Sequence, residues 1–486
     1  MSAGRVLRTA ALALAAAVAA APLAAQPDRS RPPKPGPVKP LELPPVERLS
    51  LSNGVSVLLV GMHEVPVVEV VLVLRAGAAA DPAGRDGLAA MTAGMLDEGA
   101  SGKDALALAD AVDFLGARLG TGTSWEASTV SLRVPTARLD DALALMADVA
   151  LRPDFPEAEL QRLRKEALTE LLQARDEPGA IASRAVAQAV FGRGHRYGRP
   201  LSGAAAELGS FSVAELRAFH ASRYAPAAAT LVVVGDVTAA VLPALDKAFG
   251  SWKGPAVAPA APAVPTPPQL RGRTLWLVDK KNAAQSALRV GRVGPSWPDP
   301  AYAPTEVMNT LLGGSFTSRL NDNLREQHGY AYGARSLFRR NLSGGVFLVA
   351  TDVQTDKTGP AVGEVFKELE RILLPASAEE VERARSYAAL SFASDFETTG
   401  QVAQRMVDTV VYGHADGFYE SFVPRALATD IAGMQKAARA TIDPKRVALV
   451  VVGDRAKVEA PLQALKLGAI RNLSVEDVMG PPPAIE

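Results

Sequence analysis

The run Val232-Val233-Val234-Gly235-Asp236 returns as Val450-Val451-Val452-Gly453-Asp454, 218 positions later. Pro226 returns as Pro444 at that shift, and Leu58-Leu59-Val60 falls on Trp276-Leu277-Val278. Residues 87–96 fall near 305–314, at 218 or 219. One near-constant shift across half of the chain marks an internal duplication. Valine-rich runs bounded by turn residues read as strands, and segments of helical period lie between them. The expectation is an α+β protein of two homologous lobes, each a mainly antiparallel sheet packed with helices, facing each other as a clam-shell. Two copies of so long a period exclude a solenoid.

Outward from that repeat, the 486-residue chain divides further. Arg5 and Arg8, an alanine-rich run over 9–22 and Leu23-Ala24-Ala25 before Gln26 have the pattern of a secretory signal, with cleavage expected after Ala25. Residues 26–46 are rich in proline and read as an extended arm. The first lobe is expected over 47–253, a proline- and alanine-rich linker over 254–272, the second lobe over 273–475 and a tail over 476–486. In the first lobe, strands are expected at 55–60, 65–74, 126–134 and 231–235. Helices are expected at 87–98, 104–119, 139–151, 157–174, 180–191, 213–223 and 238–249.

The 52 basic residues balance the 52 acidic ones, and no run of like charge breaks the balance. No field therefore draws the chain to nucleic acid. No later run reaches the ~18 apolar residues of a membrane span, so no membrane association is expected once the signal is gone. There is no cysteine, which suits an oxidising compartment, and the expected address is a bacterial periplasm.

Residues 311–333 (LLGGSFTSRLNDNLREQHGYAYG) carry the densest chemistry. Gly313 and Gly314 break an apolar run. Ser315 or Thr317 then suits the cap of a new helix, whose buried stripe would be Leu320 and Leu324. Gly329 fits a left-handed stop. Tyr330, Tyr332, Ser336 and Phe338 alternate along the strand expected next. A glycine loop, Arg325 and Tyr332 thus come to one region.

The duplication, the opening Asn53-Gly54-Val55-x-Val57 strand and residues 311–333 together resemble the insulinase/pitrilysin family of zinc metallopeptidases. The resemblance is to its short-chain members that pair as two-subunit enzymes, and it covers about 51–465. In active members the first-lobe helix carries H-x-x-E-H, two zinc-binding histidines and a glutamate that polarises water. Here that helix reads Gly87-Leu88-Ala89-Ala90-Met91-Thr92-Ala93-Gly94-Met95-Leu96. The three chemical positions fall on Ala90, Ala93 and Gly94, which neither bind metal nor move protons. The third ligand position falls on Glu170, which one carboxylate alone cannot turn into a zinc site. The five histidines, His63, His195, His220, His328 and His414, are too scattered for a helical pair, and His195 near Tyr197 reads as a loop residue.

The resemblance implies that Arg325 and Tyr332 reach substrate and that Gly313 and Gly314 form the loop that admits it. A guanidinium and a phenol both donate to a peptide carbonyl. The chain is then expected to bind no cofactor itself and to act as the substrate-binding subunit beside a zinc-bearing homologous partner, with a peptide as substrate. A scaffold protein with no part in proteolysis is the alternative, and an autonomous enzyme with an unrecognised site is a third reading that the histidine spacing opposes. Substrate pairing along a sheet edge would use residues 124–134 or 330–338. Arg335, Arg339 and Arg340 read either as a solvated rim or as contacts for acidic substrate ends.

Overall fold

Valine runs without polar alternation need cover on both faces, and the structure provides it. The computed structural model describes residue 36, residues 38–254 and residues 263–485. The expected signal, most of the arm and the middle of the linker lie outside the described residues. Two six-stranded sheets lie within one compact unit, Pro40–Glu486. The first holds β1 (Val46–Ser50), β2 (Ser56–Gly61), β3 (Val67–Leu74), β4 (Arg118–Thr123), β5 (Ser128–Pro135) and β6 (Ala229–Gly235), in the order β1-β2-β6-β3-β5-β4. The second holds β7 (Thr274–Asp279), β8 (Gln285–Gly294), β9 (Ala331–Arg339), β10 (Gly345–Gln354), β11 (Ala448–Gly453) and β12 (Ile470–Leu473), in the order β9-β10-β8-β11-β7-β12.

The repeat is visible in the pairing register. Leu58 lies opposite Val232 in the parallel pair β2–β6, and Trp276 lies opposite Val450 in the parallel pair β7–β11. Val70 faces Val233 across β3–β6, and Leu288 faces Val451 across β8–β11. Both partners have moved by the same 218 positions. The sheets differ at one edge. β1 pairs antiparallel with β2, whereas β12, from the far end of the chain, pairs parallel with β7.

The helices that frame the site are α1 (Leu88–Gly94), α2 (Glu157–Ala174), α3 (Pro178–Phe191), α4 (Tyr302–Asn309), α5 (Ala378–Phe392) and α6 (Thr399–Tyr412). Two of them cross over. α3 belongs to the first lobe by sequence. Yet its Ile181, Ala182, Ala185, Val186 and Val190 pack with Trp276, Val278, Val450 and Val452 of the second sheet. α6 belongs to the second lobe and lies on β3 and β6 of the first. Val71, Val73, Val232 and Val234 are buried there, outside the main first-lobe cluster that holds Val70, Leu72 and Val233. Alternate residues of each central strand thus serve two different helix layers. Gly291 allows the close approach of α3, since a Cβ there would come within 2.8 Å of Val186 Cγ2.

The described end of the linker is tied down. Gln269 Nε2 donates to the Val293 carbonyl at 3.1 Å, and Arg292 Nη2 donates to Gln269 Oε1 at 3.2 Å.

Candidate functional site: a degenerate metal helix and an aromatic–arginine groove

Gly87, at φ 94°, opens α1. The Asp81 carboxylate accepts from the Gly87 and Ala89 amides at 2.8 Å each, and Arg196 Nη2 donates to it at 2.8 Å. Burial raises the Asp81 pKa against these stabilising partners. The helix is therefore firmly placed, but the side chains it presents are inert. Ala93 is buried, and Ala90 and Gly94 are half-buried. A Cβ on Gly94 would meet only Leu163 Cδ1 of α2, at 4.0 Å, so the one neighbour at this position is hydrocarbon. Glu170, further along α2, is exposed. The Thr92 hydroxyl is buried with no hydrogen-bond partner, which adds no metal-binding charge. Among the described residues no three His, Cys, Asp or Glu side chains converge as metal ligands. These residues do not fit zinc.

In the second lobe α4 runs into a wide π-helical turn, Thr310–Gly314. Both glycines are required there. A Cβ on Gly313 would sit 2.4 Å from the Ser336 amide, and one on Gly314 would sit 2.8 Å from Asn309 Nδ2. The expected cap is not formed by Ser315 or Thr317. The Ser315 hydroxyl turns back to the Thr310 carbonyl at 3.1 Å, and the next helix starts at Arg319 after Ser318, without a side-chain cap. A bidentate clamp holds this restart. Arg319 Nε and Nη2 donate to the two oxygens of Glu380 at the head of α5, at 2.9 and 2.8 Å. These bonds from Arg319 hold the Glu380 carboxyl down, at a pKa of about 2. Leu320 and Leu324 are fully buried, and Gly329 takes φ 62°, as the spacing requires.

β9 departs from simple alternation. Ala331 pairs with Val353 and Ala334 with Thr351, so β9 advances three residues while β10 advances two. This bulge reverses the phase of the strand. Tyr332 is 89% exposed whereas Ser336, four residues on, is buried. The bulge also leaves Tyr332 and Arg335 both exposed. The Arg325 guanidinium lies 4.6 Å from the centroid of the Phe316 ring and 5.4 Å from that of Tyr332, held between two aromatic faces. Phe316, Tyr332, Arg335 and Tyr387 line an open groove of about 580 Å³ with Gly313 and Gly314 at one wall. Tyr332 and the glycine pair line this groove together, whereas Arg325 is not among its lining residues and meets the site through the Phe316 and Tyr332 rings.

Of the two sheet edges expected, only the one at 330–338 is an edge. Residues 128–134 belong to β5, an interior strand, and the first sheet ends on β1 and β4 instead. β9 is an edge, but side-chain amides cover part of it. The Ala334 amide donates to Asn321 Oδ1 at 3.1 Å, and Asn309 Nδ2 donates to the Ser336 carbonyl at 3.2 Å. On β4 the Gly120 carbonyl takes a bond from Ser131 on the adjacent strand. Among the described residues no side chain from outside the sheet bonds to the β4 backbone.

Arg340 is not a rim residue. It is buried, donates to Asp299 at 2.9 Å and Glu306 at 2.7 Å, and stacks over Tyr302. Arg335 and Arg339 are exposed. His195 is a loop residue, its Nε2 2.8 Å from the Pro265 carbonyl. The residues that sequence reasoning missed are Phe316, Tyr387, Asn309 and Asn321. An aromatic in the polar run 313–319 was a signal for Phe316. Tyr387 comes from α5, and nothing local announces it.

Comparison with known proteins agrees with this architecture. Residues 56–205 match the family model "Insulinase (Peptidase family M16)", and residues 210–387 match "Peptidase M16 inactive domain". The chain is 27% identical over 293 residues to the uncharacterized zinc protease YmxG of Bacillus subtilis, covering 60% of this chain and 69% of that one. It is 25% identical over 338 residues to an uncharacterized zinc protease of Rickettsia bellii, covering 69% and 80%. Among solved structures, a peptidase M16 inactive domain from Pseudomonas fluorescens superposes with a TM-score of 0.78 at 24% identity, over 84% of this chain and 98% of that one. A protease from Helicobacter pylori gives 0.75 at 20% identity, over 84% and 100%.

Proposed function

The chain belongs to the insulinase (M16) peptidase family, and from that premise we propose that it is the zinc-less, substrate-binding subunit of a two-chain periplasmic metallopeptidase. One contrast carries this reading. The helix that should hold metal presents Ala90, Ala93 and Gly94, while Arg325 and Tyr332 stand together beside an open groove.

The division of labour follows from the chemistry. A homologous partner bears the zinc and the hydrolytic machinery. This chain offers two donors, a guanidinium and a phenol, to the carbonyl of a bound peptide and to the negative charge that grows on its oxygen. The Phe316 ring fixes the guanidinium from the other side. The β4 edge, with Gly120 and Gly122 and little side-chain cover, suits pairing with an extended peptide backbone. The signal-like residues 1–25 support the periplasmic address.

The test is metal analysis and peptidase assay of the purified mature chain, alone and with the partner that co-purifies with it from native cells. The lone chain is expected to hold far less than one equivalent of zinc and to leave peptides intact, and the pair to cleave. Stoichiometric zinc in the lone chain would end the proposal.

A further inference from the structure

The same groove carries information about what it admits. Three large rings around it face solvent: Tyr332 is 89%, Phe316 63% and Tyr387 46% exposed. Exposed rings that converge on one concavity are a binding surface rather than scattered surface apolar residues. The charge in the groove is not evenly committed. Arg289 Nη1 is engaged with the Leu288 and Thr351 carbonyls at 2.9 and 3.1 Å and with Asp352 at 2.9 Å. Arg335 is exposed and forms no ion pair among the described residues. The groove therefore offers aromatic faces and one uncommitted guanidinium.

We propose that this groove binds an extended peptide through an aromatic side chain held among Phe316, Tyr332 and Tyr387 and a peptide carboxylate held by Arg335. The proposal rests on the peptide-binding reading above and adds the chemistry of the preferred substrate. Recognition here is by side chains, because Asn321 and Asn309 already occupy backbone groups of β9 at Ala334 and Ser336. The spacing follows from the bulge. Between Ala331 and Ala334 this strand advances three residues against two on its neighbour, and Tyr332 and Arg335, three apart across that bulge, are both exposed. In an extended ligand, side chains on one side recur every second residue, roughly 6–7 Å apart. The carboxylate should thus lie two residues from the aromatic.

The experiment is fluorescence anisotropy of the isolated mature chain with labelled, C-terminally amidated Gly/Ser peptides containing Phe-Ala-Glu or Glu-Ala-Phe. Replacing Glu by Lys should weaken binding about tenfold, through lost attraction and added repulsion. Replacing Phe by Ala should weaken it roughly tenfold, the effect of losing an aromatic anchor. Arg335→Glu should invert the Glu-over-Lys preference, and Phe316→Ala with Tyr387→Ala should abolish the preference for Phe. A peptide whose only carboxylate is its free C-terminus separates the two sources of that group. Recovery of binding there assigns Arg335 to chain ends, and no recovery assigns it to acidic side chains. Equal binding of Glu and Lys peptides, a preference unmoved by Arg335→Glu, or no binding by any peptide overturns the proposal. Circular dichroism of each variant separates loss of binding from loss of fold. Neither zinc nor the partner is needed, so failure here with cleavage intact in the reconstituted pair leaves the peptidase subunit standing. Binding without reconstituted cleavage would instead remove that reading alone.

Discussion

At the scale of single residues, the second-lobe site is supported by charges placed with unequal exposure. Arg340 is enclosed by Asp299, Glu306 and aromatic rings, with 3% of its side chain exposed. Removing one partner of a buried ionic cluster strands the others. Arg340→Ala should therefore cost about 3–5 kcal/mol in urea denaturation, and a loss below ~1 kcal/mol would contradict the buried assignment. Glu380 gives a pH-dependent counterpart. Its folded pKa is depressed to about 2, mainly by the bonds from Arg319, below the ordinary glutamate value. A depressed carboxylate contributes stability that is full above its unfolded pKa and is lost as pH falls through the folded one. Glu380→Gln should thus be less stable than wild type at pH 7, with the gap closing between about pH 4.5 and pH 2. Thermal melts across that range check it, and a gap independent of pH would refute the ionic clamp.

At the scale of elements, what the chain's own pattern revealed depended on whether one segment sufficed. The helices 139–151 and 157–174 were legible to their ends, because their apolar spacing is sustained over three or more turns. β4 was not. Its Arg-Leu-Gly-Thr-Gly-Thr has two glycines and no large apolar residue after Leu119, so no strand is expected there and the helix expected over 104–119 takes its first two residues. The helix in fact stops at Phe114. β1 was not expected either: Val-Glu-Arg-Leu-Ser is short, carries two charges and begins where the proline-rich arm ends. The site was half legible. Arg325, Tyr332 and the glycine pair share one stretch, whereas Tyr387 and the Asn309 and Asn321 bridges depend on tertiary contact. The phase of β9 was misread because a bulge has no fixed residue signature. The helix exchange also gives a prediction. Gly291→Val should press into Val186 and Val190 of α3 and destabilise the protein by about 1–3 kcal/mol. A neutral result in chemical denaturation would mean that α3 is not seated as described.

At the scale of the whole molecule, the exchange of α3 and α6 makes the lobes interdependent. Each sheet owes the cover of one face to the other half of the chain. Residues 47–253 expressed alone would lack α6 and expose the strip of Val71, Val73, Val232 and Val234. Such a fragment should fail to give a monodisperse folded species by size exclusion and near-ultraviolet circular dichroism. The intact chain should unfold in one calorimetric transition, and a stable, well-folded first lobe would contradict this interlock. The same chain keeps a helix whose catalytic positions are empty of chemistry in one lobe and a pair of donors, Arg325 and Tyr332, in the other. The central claim is that those donors act on a substrate cleaved with a partner's help. It is tested most directly by the kcat of the reconstituted pair carrying Arg325→Ala or Tyr332→Phe in this chain. Loss of a donor to the developing oxyanion predicts a fall of about 10²–10³ in kcat, and an unchanged kcat in both variants would make this chain a scaffold.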